Sequence, residues 1–205
     1  MTYELCNINQ YSNADYDAMY RAAATDKQAR ADRFRHEDDR CRLLCADMLA
    51  RRMLASAAGV SPLDIAFTYS EKGKPCANLP LHFNVSHSGE WVLCAVSKSP
   101  VGVDIEQIKP FRAGMVARYF TDAEAAYVWS GKPSAEGNVT DPDTCARFLR
   151  VWTAKEAYVK MTGTGISTDL SQVCYDPTAQ TVCGIQLTTP EAPEGYVISI
   201  LKNDL

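Results

Sequence analysis

The alternation of apolar and polar positions changes period along the chain, and the changes outline the elements. Residues 3–8 read as a short strand. Residues 12–24 read as a helix with Met19, Tyr20 and several alanines, and Thr25 or Asp26 is placed to cap a further turn running to Phe34. The longest helical pattern covers residues 37–58. Leu43, Leu44, Met48, Leu49, Met53 and Leu54 form its apolar stripe, Gly59 follows as a stop and Pro62 lies beyond. Residues 65–69 read as a strand and residues 71–75 as a turn. Leu81, Phe83 and Val85 alternate with His82, Asn84 and Ser86, and Ser86-His87-Ser88-Gly89 breaks that strand. Residues 91–96 are nearly all apolar and predict a buried strand.

In the second half, Thr121 and Glu124 match a capping box. Residues 131–143, rich in Gly, Pro, Ser and Asn, predict a loop. Residues 147–161 form a second strong helix, ended by Gly163 and Gly165. The tail predicts strands over residues 173–175, 182–187 and 196–201. Each half therefore holds helices and an antiparallel-type set of strands, an α+β pattern without a convincing residue-level repeat. The joint falls near residues 98–100, which divides the chain into 1–99 and 100–205.

The chain has 205 residues, 46% hydrophobic and 22% charged, as in soluble globular proteins. No stretch approaches the roughly 18 apolar residues of a membrane helix. The first residues lack a basic region followed by an apolar run, so no export signal is expected. Eight cysteines without a Cys-x-x-Cys pair then read as reduced cytosolic thiols. The three histidines lack zinc-ligand spacing. A net charge of −4 argues against a general nucleic-acid binder. Basic residues nevertheless crowd one early stretch, including Lys27, Arg30, Arg33 and Arg35, interleaved with acids. That stretch is either a solvated helix with ion pairs or a surface for phosphate or an acidic partner.

The central stretch Pro100-Val101-Gly102-Val103-Asp104-Ile105-Glu106 splits by a period of two. Val101, Val103 and Ile105 share one face; Gly102, Asp104 and Glu106 share the other. The carboxylates stand about 7 Å apart along the strand. Gly102 leaves room for a bulky ligand at the backbone. Two oxygen ligands with open positions suit Mg²⁺, which keeps waters and takes phosphate ligands. The alternative is the solvated polar face of an edge strand.

The helix Phe148-Leu149-Arg150-Val151-Trp152-Thr153-Ala154-Lys155-Glu156-Ala157-Tyr158-Val159-Lys160 places Lys155 inside its apolar arc, with Glu156 at the edge and Lys160 one turn on. A Glu156–Lys160 helix pair explains those two residues but not Lys155, which favours a functional role for it. If the helix packs beside the strand, Glu156 is a third carboxylate on the same cation and Lys160 can reach a phosphate. That is a site for displacement at phosphorus.

Phe83-Asn84-Val85-Ser86-His87-Ser88-Gly89, then Val101-Gly102-Val103-Asp104-Ile105-Glu106, then Trp152-Thr153-Ala154-Lys155-Glu156-Ala157-Tyr158-Val159-Lys160 together resemble the signature motifs of the Sfp-type 4′-phosphopantetheinyl transferases. The resemblance spans residues 27–165. It implies two similar, pseudo-symmetric α+β halves, each a small antiparallel sheet packed with a long helix, and a ligand cleft between them. It implies transfer of the 4′-phosphopantetheine arm of coenzyme A to a serine of an acyl or peptidyl carrier protein, with release of adenosine 3′,5′-bisphosphate. By the same resemblance Asp104, Glu106 and Glu156 hold Mg²⁺ with the CoA diphosphate, Glu156 is the candidate base and Lys160 holds the diphosphate. His87, Lys27 and Arg30 surround the 3′-phosphate, Ser86 binds a phosphate oxygen, and Lys74 with Pro75 borders the adenine. The expected protein is a cytoplasmic monomer whose partners are CoA and a carrier, with neither nucleic acid nor membrane. Position in the chain points to exposed apolar and basic residues within 111–129 for carrier docking. A Mg²⁺-dependent hydrolase of CoA or nucleotide diphosphates and a non-enzymatic CoA- or carrier-binding module are the alternatives.

Overall fold

The leucine stripe of the first long helix is the feature around which the N-terminal unit condenses. The computed structural model describes residues 1–131, 136–165 and 168–204. Residues 132–135, part of the expected loop 131–143, lie outside the described residues. The described chain divides into two units, Met1–Pro100 and Val101–Leu205, both mixing helices with antiparallel sheet. No helix among the described residues is long and apolar enough to cross a membrane.

In the first unit, β1 (Thr2–Asn7) is followed by α1 (Asn13–Ala22), α2 (Thr25–Ala31) and α3 (Glu37–Ala58). Then come β2 (Phe67–Tyr69), β3 (Pro75–Ala77), β4 (His82–Ser88) and β5 (Trp91–Ser97). α3 begins with Glu37, Asp38 and Asp39, which favour the positive end of the helix dipole. It ends at Gly59, whose φ of 71° suits a residue without a Cβ. The main sheet has the order β1-β5-β4, antiparallel throughout. β5 is its centre, and Val92, Leu93, Cys94, Ala95 and Val96 are all buried. Leu44, Leu49 and Leu54 of α3 share a core with Phe83, Val92 and Val96. β2 and β3 form a separate hairpin whose turn includes Gly73 at φ 79°.

Three expectations shift here. β4 does not break at Ser86: it runs to Ser88 and turns at Gly89, so His87 pairs with Val92 inside the ladder. Asn84 and Ser86 are buried, where simple alternation placed a polar face. The N-cap of α2 is Ala24, with no capping side chain.

The second unit runs β6 (Val101–Gln107), β7 (Phe111–Arg112), α4 (Gly114–Tyr119), α5 (Asp122–Trp129), β8 (Asn138–Val139) and α6 (Pro142–Thr162). It closes with β9 (Tyr175–Asp176), β10 (Thr181–Val182), β11 (Ile185–Thr188) and β12 (Tyr196–Lys202). The sheet order is β6-β12-β11-β10-β9, and α6 packs across β6 and β12. α6 starts at Pro142, well before the expected Arg147, because Asp141 caps it by accepting the Thr144 N–H and proline fits the first turn. The strand expected over 182–187 is two, split by a tight turn at Cys183 and Gly184 with φ 49° and 79°. Phe148 stacks on Phe111 at 3.9 Å between centroids and also contacts Phe120 and Trp152, which seats α4 and α5 on α6.

Candidate active site

β6 obeys its period of two, but neither face is solvated. Val101, Val103 and Ile105 have no exposed surface, and Asp104 on the other face is only 3% exposed. Glu106 is half-buried. The alternative of a solvated face therefore fails for Asp104, although β6 is an edge strand of its sheet. The reason is Gly102. A Cβ there would lie 2.0 Å from the Ala157 carbonyl oxygen and 2.4 Å from the Met161 nitrogen. The room expected for a ligand is taken by the backbone of α6. Close approach of strand and helix is what the glycine permits.

That approach decides where the α6 side chains go. Glu156 and Lys160 each precede one of the two residues lying against Gly102, so both face the acids of β6. Lys160 Nζ donates to Asp104 Oδ1 at 2.6 Å. The Glu156 carboxyl is pushed above the ordinary range by burial first and then by Asp104, with a smaller push from Glu106; Lys160 pulls it down. Desolvation and like charge both disfavour the ionised form. Strand and helix thus bring Asp104, Glu106, Glu156 and Lys160 into one neighbourhood.

The donor set suits a hard divalent cation in charge and oxygen chemistry, and Mg²⁺ needs only one or two protein carboxylates when phosphates and waters complete it. Among the described residues no group of three or more His, Cys, Asp or Glu is already arranged as a metal cage.

Lys155, expected to act in function, has another fate. It is fully buried, and its Nζ contacts Glu124 Oε2 at 2.6 Å, the Tyr119 carbonyl at 2.7 Å and the Leu170 carbonyl at 3.0 Å. It also lies 5.1 Å from the Phe120 ring centroid. Glu124 is equally buried. Its Oε2 accepts the Thr121 N–H, as the capping box requires, and its Oε1 accepts the Tyr175 N–H, each at 2.7 Å.

The remaining candidates lie in the first unit. His87 is exposed on β4. It contributes, after Arg42 and His36, to holding the Asp39 carboxyl below its usual range, which places it beside the start of α3. Arg42 donates to the Gly89 carbonyl, tying the β4–β5 turn to the same helix. Ser86 is buried on β4. Lys27 on α2 lies 3.7 Å from the buried Asp47, which Arg51 also binds through Nε at 2.7 Å. Asp47 is a residue the sequence pattern missed; its i,i+4 spacing to Arg51 was the available signal. Arg30 is exposed on the last turn of α2. Lys74 and Pro75 line a cavity of about 260 Å³ together with Cys76, Leu79, Leu81 and His82. Burial lowers the Lys74 pKa.

Within 111–129 the exposed apolar residues are alanines (Ala117, Ala123 and Ala126), and no large apolar side chain is fully exposed. Phe111, Val116 and Phe120 are buried, and the large exposed apolar side chains lie elsewhere. Arg112 and Arg118 are exposed.

Acids on a strand facing a Glu and a Lys on an adjoining helix make a site suited to chemistry at phosphorus. Residues 100–201 match the family described as the 4′-phosphopantetheinyl transferase superfamily, and residues 10–99 match the N-terminal 4′-phosphopantetheinyl transferase family. The chain belongs to the 4′-phosphopantetheinyl transferase superfamily. A 4′-phosphopantetheinyl transferase of Bacillus subtilis is 36% identical over 161 residues, covering 78% of this chain and 68% of the relative. The 4′-phosphopantetheinyl transferase Sfp of Bacillus subtilis (strain 168) is 31% identical over 188 residues, covering 85% and 80%. The gsp transferase of Aneurinibacillus migulanus is 32% identical over 182 residues, covering 85% and 73%. These names give no support to the hydrolase alternative.

Proposed function

We infer that this protein transfers the 4′-phosphopantetheine arm of coenzyme A to a serine of an acyl or peptidyl carrier protein and releases adenosine 3′,5′-bisphosphate. The observation that supports this best is the meeting of Glu156 and Lys160 of α6 with Asp104 and Glu106 of β6. In this reading Asp104, Glu106 and Glu156 hold Mg²⁺, which when bound neutralises the diphosphate of CoA. Lys160 exchanges its contact with Asp104 for a diphosphate oxygen. The serine oxygen forms the new bond to phosphorus while the bond to the departing adenosine-bearing phosphate breaks. Glu156, its pKa raised, is suited to take the serine proton, a role that competes with tight metal ligation. Ser86, His87, Lys27 and Arg30 bind the phosphates of the nucleotide end, and Lys74 with Pro75 borders the adenine. The family arrangement of two related halves with a ligand cleft belongs to the same reading. So do a cytoplasmic location, a monomeric state and the absence of nucleic-acid or membrane partners.

The test is intact mass after incubating the protein with CoA, Mg²⁺ and a panel of apo carrier proteins. One phosphopantetheine added to at least one carrier is expected; no addition to any of them would sink the reading. An arm without carrier detects hydrolysis of CoA. CoA binding that survives Glu156→Gln, in a parent without transfer, identifies a binding module instead.

A further inference from the structure

Two contacts fix how α6 lies on its sheet. The first is the bare backbone of Gly102, which sets how close the helix comes. The second is the Lys155–Glu124 pair, which sets how far the helix is rolled about its own axis. Successive residues of a helix are turned by about 100°, so an anchor on residue 155 dictates the direction of residue 156. The anchor is unusually complete. Each of the three ammonium hydrogens has an oxygen, from Glu124, Tyr119 and Leu170. Both carboxylate oxygens of Glu124 accept backbone N–H groups besides, from Thr121 and Tyr175. The end of α4, the start of α5, the turn at Leu170 and β9 all converge on this lysine. The charge lies 5.1 Å from the centroid of the Phe120 ring. A hydrophobic residue would fill the same volume without specifying a roll angle, because apolar contacts are not directional.

We propose that the buried Lys155–Glu124 pair is a positioning device that orients Glu156 toward Asp104 and Glu106. Neither residue touches the reacting groups; both act through the helix. The inference rests on the transferase reading for what Glu156 does.

A stability role and a positioning role separate when both charges are replaced together. Exchange of both partners for neutral groups avoids stranding a buried charge, which removal of one partner does. The double variant Lys155→Met/Glu124→Gln is compared with the parent in thermal unfolding, in CoA affinity by calorimetry, and in kcat for transfer to a carrier. The expected result is a cooperative unfolding transition at a Tm lowered by the hydrogen bonds lost at the Tyr119 and Leu170 carbonyls, CoA affinity within about twofold, and kcat lowered by between ten- and about a hundredfold, the scale of a small misplacement of a reacting group. A parental kcat overturns the proposal, as does a fall in kcat no larger than the fall in CoA affinity. Should the double variant not fold, Glu124→Asp takes its place and is judged by the same comparison, since it keeps both charges and withdraws the carboxylate by one methylene. A parent that transfers nothing refutes the transferase reading; an active parent matched by an equally active variant refutes only the positioning role.

Discussion

Two lysines on one helix, five positions apart, make two ion pairs of the same 2.6 Å length with opposite characters. Lys155 and Glu124 have no exposed side-chain surface. Lys160 is 30% exposed, while its partner Asp104 is 4% exposed. In the sealed pair all three ammonium hydrogens and both carboxylate oxygens are satisfied from the protein. The half-open pair meets solvent on one side, so its ammonium can be exchanged for another cation or turned toward a phosphate. Length and charge are therefore poor guides to an ion pair's character; exposure distinguishes the two.

The contrast breaks most sharply by removing one member of each pair. Asp104→Ala is expected to abolish carrier modification while shifting the urea midpoint by the equivalent of only about 1–2 kcal/mol, the ordinary cost of a substitution. Full transfer activity in that variant refutes the metal-ligand role. Lys155→Ala is expected to do the reverse in its main effect. It strands a buried carboxylate and costs about 3–5 kcal/mol of stability, read from the same denaturation curves. A loss below about 1 kcal/mol would mean that Glu124 finds other compensation and that the pair is not sealed.

Gly102→Ala sharpens the comparison from the strand side. The added Cβ meets backbone atoms of α6, which cannot rotate away as a side chain would. About 3 kcal/mol of destabilisation is expected, the upper end for overpacking, together with loss of transfer because the helix must lift from β6. An alanine variant of parental stability and activity would show that the helix has room to retreat.

Sequence reasoning reaches some of this architecture and not the rest, for identifiable reasons. α3 was legible because its leucine stripe and Gly59 are local signals that agree with each other. The start of α6 was hidden in a stretch whose Gly, Pro and Asn content reads as loop, although Asp141-Pro142 is itself a helix-start pair. Cys183-Gly184 carries too weak a turn signal to reveal the split between β10 and β11. For Lys155 a helical wheel shows that the residue points inward, not what it meets. Its partners include backbone carbonyls, one of them 36 positions away, and these leave no trace in side-chain pattern. Gly102 is similar: the missing side chain is visible, but whether ligand or helix fills the space is a question of tertiary packing. Asp104, Glu106, Glu156 and Lys160 were legible as candidates because charged residues on half-buried elements stand out. Their meeting required the close helix–strand contact that only the fold supplies.

The smallest expected effect concerns pH, and it tests the open pair's surroundings without any substrate. Glu156 has a folded-state pKa raised above its ordinary value of 4.5, mainly by burial and by Asp104. Its protonated form is thus the one the folded protein favours, and the folded state binds more protons than the unfolded state in that window. Stability from this group is fully present below pH 4.5 and is lost as the pH rises through the raised folded value. Glu156→Gln mimics the protonated form at all pH values. In metal-free protein, plots of urea midpoint against pH should therefore diverge above pH 4.5, with the variant gaining on the parent, and converge below it. Mg²⁺ added without CoA should narrow the gap by favouring the ionised parent. Parallel curves with and without Glu156 would mean that the carboxyl is not under strain from its neighbours. The half-open pair would then be a simple surface contact, and the distinction between the two lysines would lose its chemical half.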